Sequence, residues 1–575
     1  MHLLNGLYDA KLDHVPVVAI VGQQQTSVLG AECQQEIDLQ GLFQDVAAQY
    51  VQTVLTPEQA PMVLDRAFRT ALATRSPCVV ILPHDLQQEP VAENLPHEYG
   101  VVVTTPEWRR PHVLPRAGDL REAANVLNAG SSRDPRRTRR AREAQEQVRS
   151  VAERLGAGVT TSLLGKPWFD ESLPYSCGVM GHLGTTASAW LMENCDTLLI
   201  VGSNDPWTEF YPPPGRARGV QVDLDGRHLG NRYPVEVGLT GDAADTLDAL
   251  LPLLDPPGDR SWRSDVEASV RQWHEVAQER AALPANPLNP ELVVRSLSAR
   301  LPADAQVSVD VGSVTYWYAR HLRLPPGVQA HLSSTLATMG SALPYGVAAK
   351  LAAPERPLVA LVGDGAMQMN GIAELITVSR LWKSWTDPRF VVLVLRNGEL
   401  AEVTWEQREM EGDPRFGQLL PDFRMPGTHG CSASTASGWT EPRTWTPRGT
   451  RLWALRGPWC WKRWSIPTCR SCRRFPPVRG SLRPSGRVWD RSPTAASTPS
   501  DCWTRRPLRK RVAESSDRVA LTHPPTSRLQ VLMCRACVGM CVACQDEQDA
   551  AGPRRARRRA CRVAPPRHHR RNESL

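Results

Sequence analysis

"LVALVGDGAMQMNGIAELITVSRLW", residues 358–382, is an apolar run that stops at Gly363-Asp364-Gly365 and resumes as an amphipathic segment. Leu358 to Val362 is short and rich in β-branched residues, which suits a strand covered on both faces of a parallel sheet. Ile372, Leu375, Ile376 and Val378 then recur at helical spacing, with Glu374 on the other side. In an open α/β sheet, ligands bind beyond the carboxyl ends of the strands, where this loop would lie. Gly363 and Gly365 let the backbone turn sharply and approach a ligand. The amides opening the following helix are ready to receive an anion, and Asp364 is a suitable anchor for a Mg²⁺ that grips phosphate oxygens. The same residues also fit an ordinary strand-to-helix turn capped by an aspartate. On this stretch alone both readings stand.

A second apolar run, "RFVVLVLRNGEL" (389–400), ends in Asn397-Gly398-Glu399. Two strand ends that each deliver an oxygen ligand suit a hard, octahedral cation. At this point the residues resemble the thiamine diphosphate (ThDP) enzymes of the pyruvate oxidase and acetolactate synthase type, whose signature is G-D-G followed further along by a pair of asparagines. "LSSTLATMGSALPYGVAAKLA" (332–352) looks like the family's stretch that cups the cofactor's rings, and "EVTWEQREMEGDPRF" (402–416) looks like the branch of quinone-linked pyruvate dehydrogenases and pyruvate oxidases.

The resemblance implies roles. Asp364 and the Asn397 side chain would ligate Mg²⁺, with the backbone carbonyl of Glu399 completing the set. Gly363 opens the loop, and the Gly365 and Ala366 amides would hold the diphosphate. Met339 would be the apolar prop that bends the cofactor, although a single Met is as readily plain core packing. The Ala337 carbonyl would accept a hydrogen bond from the pyrimidine's amino group. One departure stands out: the first asparagine of the family's pair is Arg396 here.

A chain of 575 residues with 41% apolar content has room for about three domains. It shows no secretory pattern at "MHLLNGLYDAKLDH" and no apolar run of transmembrane length, so a cytoplasmic protein is expected. The sequence is silent on membrane association. The net charge of +8 is uneven, because arginine, proline, tryptophan and cysteine crowd the last quarter. Only Cys33, Cys78, Cys177 and Cys195 precede residue 425.

The expected architecture is α/β: three Rossmann-like parallel-sheet domains, the first incomplete, then an irregular tail expected to be disordered. Residues 1–95 alternate buried strands ("HVPVVAIVG", "SPCVVILP") with a helix and resemble the middle of the family's pyrimidine-binding domain. By that resemblance a preceding segment is missing, and with it the family's activating glutamate. Glu32 and Glu36 match another part of the domain, so no catalytic residue is assigned. Residues 112–254 resemble the central domain, and 286–424 the diphosphate-binding domain.

Within the central domain, "NAGSSRDPRRTRRAREAQEQV" (128–148) breaks the strand–helix pattern. It reads as a basic loop, or as a shifted frame: other codons for 131–143 spell a strand and a glycine-rich turn, which the domain lacks here. In the tail, 425–575, tryptophans among arginines and prolines suggest single-stranded nucleic acid. Cys534, Cys537, Cys541 and Cys544 have a spacing that suits zinc or an iron–sulfur cluster. Neither pattern sits in a periodic scaffold, so a shifted frame is the preferred account and no nucleic-acid partner is expected.

The resemblance implies ThDP- and Mg²⁺-dependent decarboxylation of a 2-oxoacid such as pyruvate, with FAD a further cofactor of the pyruvate oxidase branch. No fingerprint here names FAD contacts. An acetolactate synthase-like carboligase and a non-catalytic remnant are the alternatives. Active sites shared between subunits imply a homodimer or homotetramer.

Overall fold

The computed structural model describes residues 2–90, 107–130, 133–137, 143–256, 258–286, 288–412 and 416–421, with the short strands 462–463 and 530–535. Its first part runs α1 (Leu3–Leu12), β1 (Val17–Gln23), α2 (Leu39–Phe43), β2 (Val51–Thr53), α3 (Ala60–Thr74) and β3 (Pro77–Pro83). The three strands are parallel in the order β1-β3-β2. Leu7, Leu39 and Phe43 cover one face of β3 through Val79 and Ile81. Val63, Ala67 and Ala71 of α3, each four apart, cover the other through Cys78 and Val80.

The central domain contains α4 (Ala117–Ala129), β4 (Arg133–Arg137), α5 (Gln145–Leu155), β5 (Val159–Thr161), β6 (Ser176–Val179), α6 (Thr186–Asn194), β7 (Thr197–Val201), β8 (Arg218–Asp223), β9 (Val237–Thr240) and α7 (Ala243–Leu250). The sheet is parallel in the order β6-β5-β4-β7-β8-β9, the doubly wound order of dinucleotide-binding folds. β4 is the central strand, paired with both β5 and β7, although its residues are Arg-Asp-Pro-Arg-Arg. The backbone thus occupies the place where the sequence lacks a strand pattern. The long helix α8 (Ser261–Ala282) leads out of the domain and packs Val266, Val270 and Trp273 into its core.

The third domain runs α9 (Pro290–Ser298), β10 (Gln306–Val309), α10 (Ser313–His321), β11 (Gln329–His331), α11 (Ala342–Ala352), β12 (Leu358–Gly363), α12 (Asp364–Ala366), α13 (Ile372–Leu381), β13 (Phe390–Arg396) and α14 (Ala401–Glu411). A π-helical turn, Met367–Gly371, joins α12 to α13 in one continuous helical run. β11-β10-β12-β13 are parallel. β12 is buried from Leu358 to Val362, as its apolar run requires. Lys350 is fully buried at the end of α11, and its Nζ donates to the carbonyls of Pro354 (2.9 Å), Arg356 (2.6 Å) and Asp387 (2.6 Å). Those bonds satisfy the ammonium while burial pulls its pKa down to about 8.

Two stretches of the tail add strands to this sheet. β15 (Gln530–Arg535) pairs antiparallel with β13, and β14 (Lys462–Arg463) pairs with β15. Val531-Leu532-Met533 supplies the apolar run that such pairing uses, and β13 would otherwise present an open edge. The rest of 422–575, including Cys537, Cys541 and Cys544, lies outside the described residues, as does most of the 131–143 window. Among the described residues no helix is long and apolar enough to cross a membrane.

Candidate active site

β10 and β12 lie side by side, with β11 beyond one and β13 beyond the other, so strand order reverses between them. The crevice at the carboxyl ends of such a pair is where open α/β sheets bind ligands. Each of the two strands ends on a buried aspartate: Asp310 after β10 and Asp364 after β12.

Asp364 is 4% exposed. Its Oδ2 accepts the Gly398 amide at 2.9 Å, which ties the G-D-G turn to the Asn397-Gly398-Glu399 turn. The register explains the meeting: Gly363 is paired with Leu395, so the residues just past each strand face one another. Burial raises the pKa of Asp364, opposed by the Gly398 and Asn397 amides and by the Arg396 guanidinium. Asn397 Oδ1 accepts the Glu399 amide at 3.1 Å, which orients the side-chain oxygen. Leu400 donates to Gln418 (2.9 Å) and Leu420 to Gly398 (2.8 Å), which pairs this turn with 418–420.

Gly365 is hemmed in. A Cβ there would lie 3.0 Å from Leu400 Cδ2, 3.3 Å from Leu420 Cδ1 and 3.9 Å from Met339 Sδ. At Gly363 and Gly398 a Cβ would meet nothing within 4 Å, so the backbone is open on that side. Gly365 and Ala366 stand in the first turn of the helical run that starts at Asp364, where amides lack partners inside the helix.

Met339 packs partly buried against the core under α11 and β12, and its sulfur lies 3.9 Å from where a Cβ on Gly365 would stand, so it faces both the core and the loop. Ala337 is exposed and takes φ +54°, a left-handed conformation that costs a residue with a Cβ about 1 kcal/mol or more. Met339 thus stands near Gly365, the Gly398 amide joins Asp364 to the 397–399 turn, and Ala337 lies two residues before Met339.

Asp310 was not legible as a site residue. It is 1% exposed, its Oδ1 accepts from Gly340 (2.7 Å) and Val311 (2.9 Å), and its Oδ2 accepts from Ala342 (3.0 Å). It therefore fixes the turn that carries Met339. The signal available was "QVSVDVGS" (306–313), another apolar run stopped by an acid near a glycine. Glu402 was also missed. It lies on the first turn of α14, three residues past Glu399, and burial together with Glu406 pushes its pKa up to about 7. Nearby on α10, burial pushes the Tyr316 hydroxyl up to about 12, and its ring meets Trp405 edge-on at 5.3 Å. Glu36, by contrast, accepts from the Gly30 (2.6 Å) and Cys33 (2.9 Å) amides and is held below the usual carboxylate range by them.

Residues 137–250 match the thiamine pyrophosphate enzyme central domain, and residues 310–439 match the thiamine pyrophosphate enzyme C-terminal TPP binding domain. The thiamine pyrophosphate-containing protein YdaP of Bacillus subtilis is 32% identical over 408 residues, 71% of this chain and 68% of that protein. The chain belongs to the thiamine pyrophosphate enzymes. The large subunit of acetolactate synthase isozyme 2 from Escherichia coli is 30% identical over 74% of this chain and 77% of its own length. Pyruvate oxidase from Lactiplantibacillus plantarum is 29% identical over 64% of this chain, which spans 60% of that enzyme.

The crevice of this thiamine pyrophosphate enzyme fits a magnesium-bound diphosphate. A buried carboxylate and an oriented amide oxygen form a hard donor set. The open backbone at Gly363 and Gly398 leaves room beside them, and the first helical turn offers amides to an anion.

Proposed function

We propose that the chain binds ThDP through Mg²⁺ and decarboxylates a 2-oxoacid such as pyruvate, in the manner of the pyruvate oxidase branch. The observation that carries this reading is the buried Asp364 carboxylate joined by the Gly398 amide to the Asn397 turn. When bound, ThDP supplies the electron sink for loss of CO₂ from the 2-oxoacid. Asp364 and Asn397 would hold the Mg²⁺ with the Glu399 carbonyl, and the Gly365 and Ala366 amides would hold the diphosphate. Met339 would support the cofactor, and the Ala337 carbonyl would accept from the pyrimidine amino group.

The electrostatics of the turn set the pH dependence. Because burial raises the Asp364 pKa, protons compete with Mg²⁺, and loading weakens as pH falls through that raised value. Arg396, where the family has asparagine, favours the ionised carboxylate but repels the metal. Glu402, with its pKa near 7, can hold or release a proton beside the crevice at neutral pH. The central sheet has the strand order that accepts dinucleotides, which supports FAD as a second cofactor. A homodimer or homotetramer working in the cytoplasm completes the proposal.

The acetolactate synthase-like reading has its own support in the coverage of that relative. Product analysis separates the two. With pyruvate, Mg²⁺, ThDP and an artificial electron acceptor, acetate is the expected product. Acetolactate would overturn the oxidase assignment in favour of carboligation. Cofactor binding without turnover of any 2-oxoacid would make the chain a non-catalytic binder and overturn the decarboxylation.

A further inference from the structure

Asn5 and Asp9 of helix α1 and Asp13 at its C-cap follow at successive four-residue steps, one polar stripe along the helix. Its apolar residues, Leu4, Leu7 and Tyr8, pack into the core of its own domain. All three members of the stripe bond to the loop after β11, more than 320 residues away in the chain. Asn5 Nδ2 donates to Thr338 Oγ1 at 3.0 Å. Asp9, 4% exposed, accepts the Ser333 hydroxyl on Oδ1 at 2.6 Å and the Tyr345 hydroxyl on Oδ2. Asp13 Oδ1 accepts the Thr335 amide at 3.3 Å.

Ser333 is the relay. It is 2% exposed, its hydroxyl donates a hydrogen bond to Asp9, and its oxygen accepts the Thr338 amide at 3.0 Å. Thr338 stands between Ala337, whose left-handed backbone is strained, and Met339. Such strain persists only where neighbouring contacts over-determine the backbone. Asp310 secures the far side of the turn through Gly340 and Ala342. On the near side the bonds come from α1.

We infer that Asp9, with Asn5 and Asp13 at its sides, is a positioning residue of the first domain: through Ser333 it holds Ala337 in the conformation that aims its carbonyl at the cofactor's ring end. The inference rests on the ThDP reading of the crevice. It divides the site in two. The ring end depends on α1, and the metal–diphosphate end at Asp364 and Asn397 does not.

Hydrogen–deuterium exchange on the cofactor-free full chain tests the clamp without any ligand. Asp9→Ala should speed exchange across 333–341 and leave 358–366 as in the parent. Ser333→Ala, which deletes one oxygen and keeps the helix intact, should do the same, and the double variant should be no faster than either. Calorimetry then separates the two ends: Asp9→Ala should weaken Mg–ThDP about tenfold or more, as loss of bonds to a charged acceptor implies, and leave Mg–pyrophosphate affinity unchanged. Asp9→Asn, which keeps one acceptor for Ser333, should recover part of the loss. Unchanged exchange at 333–341 in both single variants would overturn the clamp, as would equal weakening of ThDP and pyrophosphate. A parent chain that binds pyrophosphate but not ThDP would overturn the cofactor reading instead, with the exchange result still deciding the clamp.

Discussion

β12 and β4 hold the same kind of place, internal strands with parallel neighbours on both sides, and are built of opposite residues. β12 is Leu-Val-Ala-Leu-Val-Gly, buried from Leu358 to Val362 and stopped by the turn that carries Asp364. β4 is Arg-Asp-Pro-Arg-Arg, seated between β5 and β7 by the strands and helices around it. In β12 the local preference, the pairing and the chemistry all agree. In β4 the topology alone decides. A site needs the first kind of strand, because a turn can hold a ligand geometry only when the strand before it has one register.

β12 depends on its apolar composition. Ala360 is fully buried between β10 and β13. Ala360→Arg, which gives β12 the chemistry of β4, should cost more than about 4 kcal/mol and abolish cooperative unfolding of the third domain followed by circular dichroism. A variant that melts like the parent would show that β12 does not need its composition. The comparison is sharpened at β4. Pro135 cannot donate to the ladder, and arginine suits a central strand poorly. Replacing Pro135 and Arg136 by valine should raise stability by about 1–2 kcal/mol in denaturant melts. A drop would show that this strand position does not favour a β-branched composition.

The smallest effect concerns Glu402. Burial raises its pKa from 4.5 to about 7, so it favours the folded state below its unfolded pKa and loses that contribution as pH rises through about 7. Glu402→Gln should match the parent in melting temperature near pH 4.5 and exceed it by a few degrees at pH 8. Equal melting at both pH values would place the carboxylate in water.

Much of the crevice was legible because its parts are local. Leu358–Gly363 and Phe390–Arg396 are continuous apolar runs closed by turn residues, and both are strands. Their pairing brings Asp364 to the Asn397 turn without any further signal. Asp310 lay in the same kind of pattern, yet its work is on backbone amides 30 and 32 residues further on, which no spacing announces. The left-handed φ of Ala337 has no sequence mark, since alanine is not a residue that asks for it. The stripe on α1 is visible as a four-residue repeat, but its partners lie in another domain. β4 failed as a strand by composition, and only the neighbouring strands reveal its place.

The proposed cofactor binding stands on Asp364 as the anchor for Mg²⁺. Calorimetric titration of Mg–ThDP into the parent chain and into Asp364→Ala tests it most directly. The parent should show Mg²⁺-dependent binding that fades as the pH is lowered, and the variant no measurable binding. Equal affinity in the two proteins would contradict it and return Gly363-Asp364-Gly365 to an ordinary capped turn.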